Sequence, residues 1–161
     1  MALPSRSLTL YLPSMTPKRI SLSAAAPAVY RALDALDTSV DFDPKLIDLV
    51  KLRASQINGC GYCVDAHSGD AVRGGDDPRR VWAVAVWRET GFFSDRERAA
   101  LALTEALTDL RDEGVPDAVY ADASAHFAEA ELGNLIGAII AINAWNRVGV
   151  GLALRPAPLA A

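Results

Sequence analysis

The sequence predicts an all-α protein, a single-domain bundle of about seven helices, and three observations lead there. Apolar residues recur at helical spacing along most of the 161 residues. Several alternating β-branched runs, the mark of strands, are nowhere found. Proline, serine and aspartate stand where helices would begin, and glycine where they would end. With 51% of its residues hydrophobic, a chain of this length can bury one ordinary core.

Residues 1–16 are Pro-punctuated and predict a flexible N-terminal segment, residues 17–155 the folded domain, and residues 156–161 a C-terminal tail. Ser23 precedes an Ala-rich helix to about Leu36, with Val29, Leu33 and Leu36 on one stripe and Pro27 in its first turn. Pro44 starts a second helix carrying Leu46, Leu49, Val50 and Leu52, closed by Asn58-Gly59 as a left-handed cap. A third opens at Cys60, runs to about Arg73 and stops at Gly74-Gly75. Asp76 or Asp77 followed by Pro78 starts a fourth, containing Val81, Val84 and Trp87. Ser94 with Glu97 forms a capping-box pattern for a fifth. Gly114 and Pro116 separate it from a sixth with Tyr120, Ala123 and Phe127 on its apolar stripe. The last, about Glu131 to Val148, is so evenly apolar that it belongs at the centre of the fold or at a subunit interface.

A net charge of −4 with scattered Lys and Arg predicts no nucleic-acid binding, which concentrates basic residues on one face. Leu132 to Leu154 approaches a membrane-spanning length, but Asn143, Asn146 and Arg147 would sit in lipid, so no membrane span is expected. The apolar stretch from Leu8 to Met15 is too short and interrupted for a secretory signal. A cytoplasmic location follows as the expectation. Two cysteines there form no stapling framework, and their close spacing points to reactivity or metal binding.

Cys60-Gly61-Tyr62-Cys63 lies at a turn-to-helix junction, which puts both sulfurs in a first helical turn. Unpaired N–H groups and the positive end of the helix dipole favour a thiolate there. Residues three apart share a face, at a separation compatible with a disulfide. His67 follows Cys63 by one turn on that face and can accept or return a proton. The competing readings are two ordinary buried thiols, or a zinc site of Cys60, Cys63, His67 and Asp48, which lacks the paired ligand elements zinc usually takes. His126 reads as structural or exposed, Glu105 as a buried ion pair or cap, Trp87 and Trp145 as core or interface aromatics.

The run from Lys51 to His67, with Trp87-Arg88-Glu89, Glu97 to Thr108 and Ile142 to Arg147, resembles the carboxymuconolactone decarboxylase family and its alkylhydroperoxidase AhpD-like branch. The resemblance covers about Pro17 to Arg155. It implies an AhpD-like all-α fold, assembly into a homo-oligomer (trimer or hexamer), and antioxidant reduction of peroxide substrates at the expense of an unidentified dithiol electron donor. It also implies a proton relay through a glutamate twelve residues before the first cysteine, a position held here by Asp48, one methylene shorter. Between the cysteines stands Tyr62 where AhpD has histidine, so the resemblance is to the branch. The expected catalytic set is Cys60, Cys63, His67 and Asp48, with no haem, flavin or metal required. Cys63 would attack the peroxide and Cys60 resolve the sulfenic acid, or the reverse. Two other readings are the decarboxylation of a lactone acid that names the family, which needs no thiol pair, and a non-catalytic redox-sensing oligomer.

Overall fold

A computed structural model describes residues 18–110 and 114–159, and all regular structure among them is helical. In chain order these are α1 (Leu22–Ala25), α2 (Pro27–Thr38), α3 (Pro44–Ile57), α4 (Gly61–Arg73), α5 (Pro78–Ala83) running into a 3-10 segment (Val84–Glu89), α6 (Asp95–Thr108), α7 (Asp117–His126) and α8 (Glu129–Gly151). The expected flexible segment of residues 1–16 lies outside the described residues, and 156–159 carry no regular structure.

Most helix starts are the predicted ones. Asp43 and Asp77 accept the N–H groups of Lys45 and Arg79, each ahead of a proline at the first helical position. Ser94 and Glu97 close a reciprocal capping box. The expected first helix is instead two. Ala26 leaves the helical region (φ −142°, ψ 66°), as a residue before proline is biased to do, so Pro27 opens α2 rather than continuing α1. The fourth helix is shorter than predicted, because Val86 is non-helical (φ −126°, ψ 32°) and the chain tightens to 3-10 geometry. Tyr120 was expected on the buried stripe of the sixth helix; it is exposed, while Ala123 and Phe127 are buried.

Helix α3 organises the interior. It packs against α4, α6 and α8. Leu46 and Val50, one turn apart, join Leu103, Leu135 and Ile139 in one apolar cluster, whereas Leu49 and Leu52 join Val84, Trp87 and Leu101 in another. Each fully buried leucine contributes about 1.5–3 kcal/mol relative to exposure. Near its end Ala54 meets Cys60, Cys63 and Ile142 in a third cluster, with Trp145 against it. Helix α8 buries Leu135, Ala138, Ile139, Ile142, Asn146 and Gly149 along one face and so lies at the centre of the fold. Ile140 and Val150 on its other side are exposed. No helix among the described residues is long and apolar enough to cross a membrane.

Candidate functional site

The chain turns from α3 into α4 over residues 58–60, and Cys60 takes part in the caps of both helices. Gly59 takes φ +67°, the left-handed conformation glycine adopts most easily. Its N–H donates to Gln56 O (3.3 Å) and the Cys60 N–H to Ser55 O (3.0 Å), the paired bonds of a Schellman cap. Cys60 is also the N-cap of α4, its sulfur accepting from the Cys63 N–H at 3.4 Å. The backbone at Cys60 is thus fixed from both sides. Cys60 and Cys63 form a disulfide, with Cα atoms 5.3 Å apart. Both are buried, at 2% and 6% exposure.

The same corner folds α4 back along α3 and brings Asp48 to His67. Their ligand-type atoms and those of Asp70 all lie within 4.8 Å of one another. Asp48 and His67 are thus neighbours across the two helices, and Asp70 is an unforeseen third member of the group. His67 Nδ1 is buried without a hydrogen-bond partner, and stands 3.9 Å from Asp70 Oδ2. Asp70 itself pairs with Arg73. Burial, then the Asp70 carboxylate, pushes Asp48 up to about 6. Burial, then the Lys51 ammonium, pulls His67 down to about 4. Near neutral pH the imidazole is uncharged and can take a proton, while the carboxylate is largely ionised.

A polar network holds the corner against α8. Asn58 Nδ2 donates to Asn143 Oδ1 and Asn146 Oδ1, both at 2.9 Å. Asn146 Nδ2 donates to Ser55 Oγ (2.9 Å), whose hydroxyl donates to Lys51 O (2.7 Å). Ser55 and Asn146 are fully enclosed, so these bonds satisfy groups that would otherwise be costly to bury. One turn further along, Gly149 lies against the disulfide. A Cβ there would be 2.6 Å from Cys60 Sγ and 3.4 Å from Cys63 Sγ.

Residues 24–106 match the carboxymuconolactone decarboxylase family, just over half of the chain. The chain belongs to the carboxymuconolactone decarboxylase family. It is 37% identical over 110 residues to the uncharacterized protein YdfG of Bacillus subtilis (strain 168), covering 68% of this chain and 75% of that protein. It is 38% identical over 98 residues to the uncharacterized protein YnjA of Escherichia coli (strain K12), where the match spans 59% of this chain and 53% of that one. A crystal structure of a protein of unknown function from Agrobacterium tumefaciens, assigned provisionally as the antioxidant defence protein AhpD, superposes with a TM-score of 0.83 at 36% identity. That likeness covers 88% of this chain and 99% of the other, and the fold is AhpD-like.

Other carboxymuconolactone decarboxylase family blocks serve the frame. Glu105 accepts from Arg53 Nε (2.7 Å) and Trp87 Nε1 (2.9 Å) and pairs with Arg88, as the ion-pair reading expected. Burial works against its ionisation, but hydrogen bonds from Arg88, Trp87 and Arg53 hold its carboxyl below the ordinary range. A cavity of about 580 Å³ lies over this cluster and touches neither cysteine. A second, of about 140 Å³, reaches Cys60. His126 stands partly exposed, 3.8 Å from Asp122. Asp48, His67 and Asp70 form the one group of ligand-type side chains among the described residues gathered closely enough to approach a cation together, and with both sulfurs joined in the disulfide it includes neither cysteine.

Sequence reasoning missed Asp70 and Gly149. The three-residue spacing from His67 could have suggested Asp70. Gly149, in an evenly apolar helix, carries no signal of the sulfur it faces.

Proposed function

We propose that this protein is a thiol-dependent peroxidase that reduces hydroperoxides through a Cys60/Cys63 dithiol–disulfide cycle. The observation that carries the reading is the sulfur pair at the start of α4, with His67 one turn beyond Cys63 and Asp48 within reach of His67. In the reduced form His67 takes the Cys63 proton, and the thiolate attacks the terminal oxygen of the peroxide. The O–O bond breaks, Cys63 becomes a sulfenic acid, and the departing alkoxide receives the proton. Cys60 then attacks the Cys63 sulfur, water leaves, and the disulfide seen here forms. An external dithiol restores both thiols. Asp48 orients or recharges the imidazole. The likeness to the Agrobacterium protein provisionally assigned to antioxidant defence supports the reading. The reading includes assembly as a homo-oligomer, for which Val29, Trp82 and Ile140 are among the exposed apolar side chains available to an interface.

The test is hydroperoxide consumption with dithiothreitol as donor, beside lactone-acid decarboxylation. Cys60→Ser and Cys63→Ser should abolish peroxide turnover, and His67→Ala should lower it by about 10²-fold or more. Lactone decarboxylation that survives in the double serine variant, with no peroxide turnover in wild type, would establish the family's namesake reaction instead. A wild-type protein that consumes neither substrate but changes its assembly on oxidation would be a sensor.

A further inference from the structure

The cavity that reaches the disulfide touches Cys60 and not Cys63, and its rim is basic. It measures about 140 Å³, and its lining includes Cys60, Gly61, Gly149, Leu154, Arg19 and Arg155. The way α8 ends puts the last of these there. The Ala153 N–H donates to Val150 O (3.2 Å) and the Leu154 N–H to Gly149 O (2.9 Å), a Schellman cap whose left-handed position is held by Ala153 at φ 54° instead of glycine. That conformation costs a non-glycine residue about 1–2 kcal/mol. The turn swings Leu154 and Arg155 back over Cys60. From the other end of the chain, Arg19 donates to Val150 O (3.3 Å) and Gly151 O, which seats it on the same rim. Net charge is −4, yet the ion pairs among the described residues give neither arginine a carboxylate partner. The N-terminus of α4 adds its own partial positive charge beside Cys60.

We infer that this cavity receives the reductant, a small thiol or dithiol bearing an anionic group, which attacks Cys60 while Arg155 and Arg19 hold its charge. The inference rests on the dithiol–disulfide cycle proposed above. The donor thiolate bonds to Cys60 Sγ, the Cys60–Cys63 bond breaks, and its electron pair leaves on Cys63 Sγ at the helix N-terminus. The donor's second thiolate attacks the donor sulfur of the mixed disulfide and releases Cys60 as a thiolate. The protein gains two electrons, the donor leaves as its own disulfide, and the donor's two protons pass to the protein thiols or to water. The small volume suits a short aliphatic chain.

Reduction of the oxidised full-length chain, in the absence of peroxide, tests this. Two dithiols are compared, neutral dithiothreitol and anionic dimercaptopropanesulfonate, with free thiols counted after acid quench. Arg155→Gln should slow the anionic donor about threefold and Arg155→Glu about tenfold, with dithiothreitol changed less than about twofold, and about 0.5 M salt should erase most of the difference. Mercaptoethanesulfonate, trapped during the reaction, should be found by peptide mass spectrometry on Cys60. Equal slowing of both donors, no slowing of either, or a mixed disulfide on Cys63 overturns the inference. Peroxide turnover without charge selectivity would sink the docking site alone. Selective reduction without peroxide turnover would sink the peroxidase and leave the docking site standing.

Discussion

Asp48 and His67 are shifted in opposite directions, and the two shifts have opposite consequences for stability. Asp48, raised to about 6, stabilises the fold below its unfolded value of about 4, and that contribution is lost as pH rises through 6. His67, lowered to about 4, contributes fully above its unfolded value of about 6.5, and loses this as pH falls through 4. Between those limits the folded pair is neutral acid beside neutral imidazole, while the unfolded chain holds carboxylate and imidazolium. Both carry one proton, so the pair adds almost no pH dependence. Asp48→Asn removes one half of the balance. Relative to wild type it should gain about 1 kcal/mol between pH 4 and 7, a figure discounted for the half-exposed carboxylate. Urea unfolding at the two pH values measures it, and a constant difference would contradict the shift. Of this site, Cys60, Cys63 and His67 were legible because their relation is local, three and four residues along one helix. Asp48 was legible only through the family pattern. Asp70 is marked in sequence only by its three-residue spacing from His67, and its importance comes from the carboxylate of Asp48 that α3 brings beside it.

Two of three helix ends that matter here could be read from glycine. Gly59 and Gly75 take positive φ where α3 and α4 stop, as expected of glycine after a helix. The third, at Ala153, could not, because alanine gives no signal for a left-handed turn. The split between α1 and α2 was within reach of the rule for residues before proline, whereas the 3-10 tightening at Val86, beside the Trp87 that donates to Glu105, has no local mark in the sequence. The contact between α8 and α4 offers a sharp test. Gly149→Ala places a Cβ 2.6 Å from a sulfur whose backbone two helix caps hold in place. Overpacking of this kind costs about 1–3 kcal/mol, against a gain in helix propensity of up to about 1. Denaturant unfolding should show net loss, while Gly151→Ala, with nothing near its Cβ, should not lose stability through packing. Equal behaviour of the two variants would mean that α8 does not approach the disulfide so closely.

At the scale of the whole molecule, the fold rests on α3 and its three apolar clusters, and the disulfide is an addition to it. The bridge spans three residues, and closing so short a loop contributes only about 2 kcal/mol in the chain-entropy account. Reduction should leave helical content unchanged and lower Tm by about 4–8 °C, since about 1 kcal/mol shifts a domain of this size by 2–4 °C. Circular dichroism melts of the two forms measure this, and loss of helicity on reduction would make the bridge structural. A pair that can open without unfolding the protein is what a cycling dithiol requires. The all-α bundle was legible throughout from helical spacing and the absence of strand patterns, since both follow from local chain geometry.

The most direct measurement is an anaerobic titration of the reduced protein with an alkyl hydroperoxide, counting thiols and alcohol product together. One equivalent should consume both thiols, form the Cys60–Cys63 bond and release one equivalent of alcohol, and His67→Ala should do so far more slowly. Thiols that survive the peroxide, or react no faster than free cysteine with or without His67, would contradict the account.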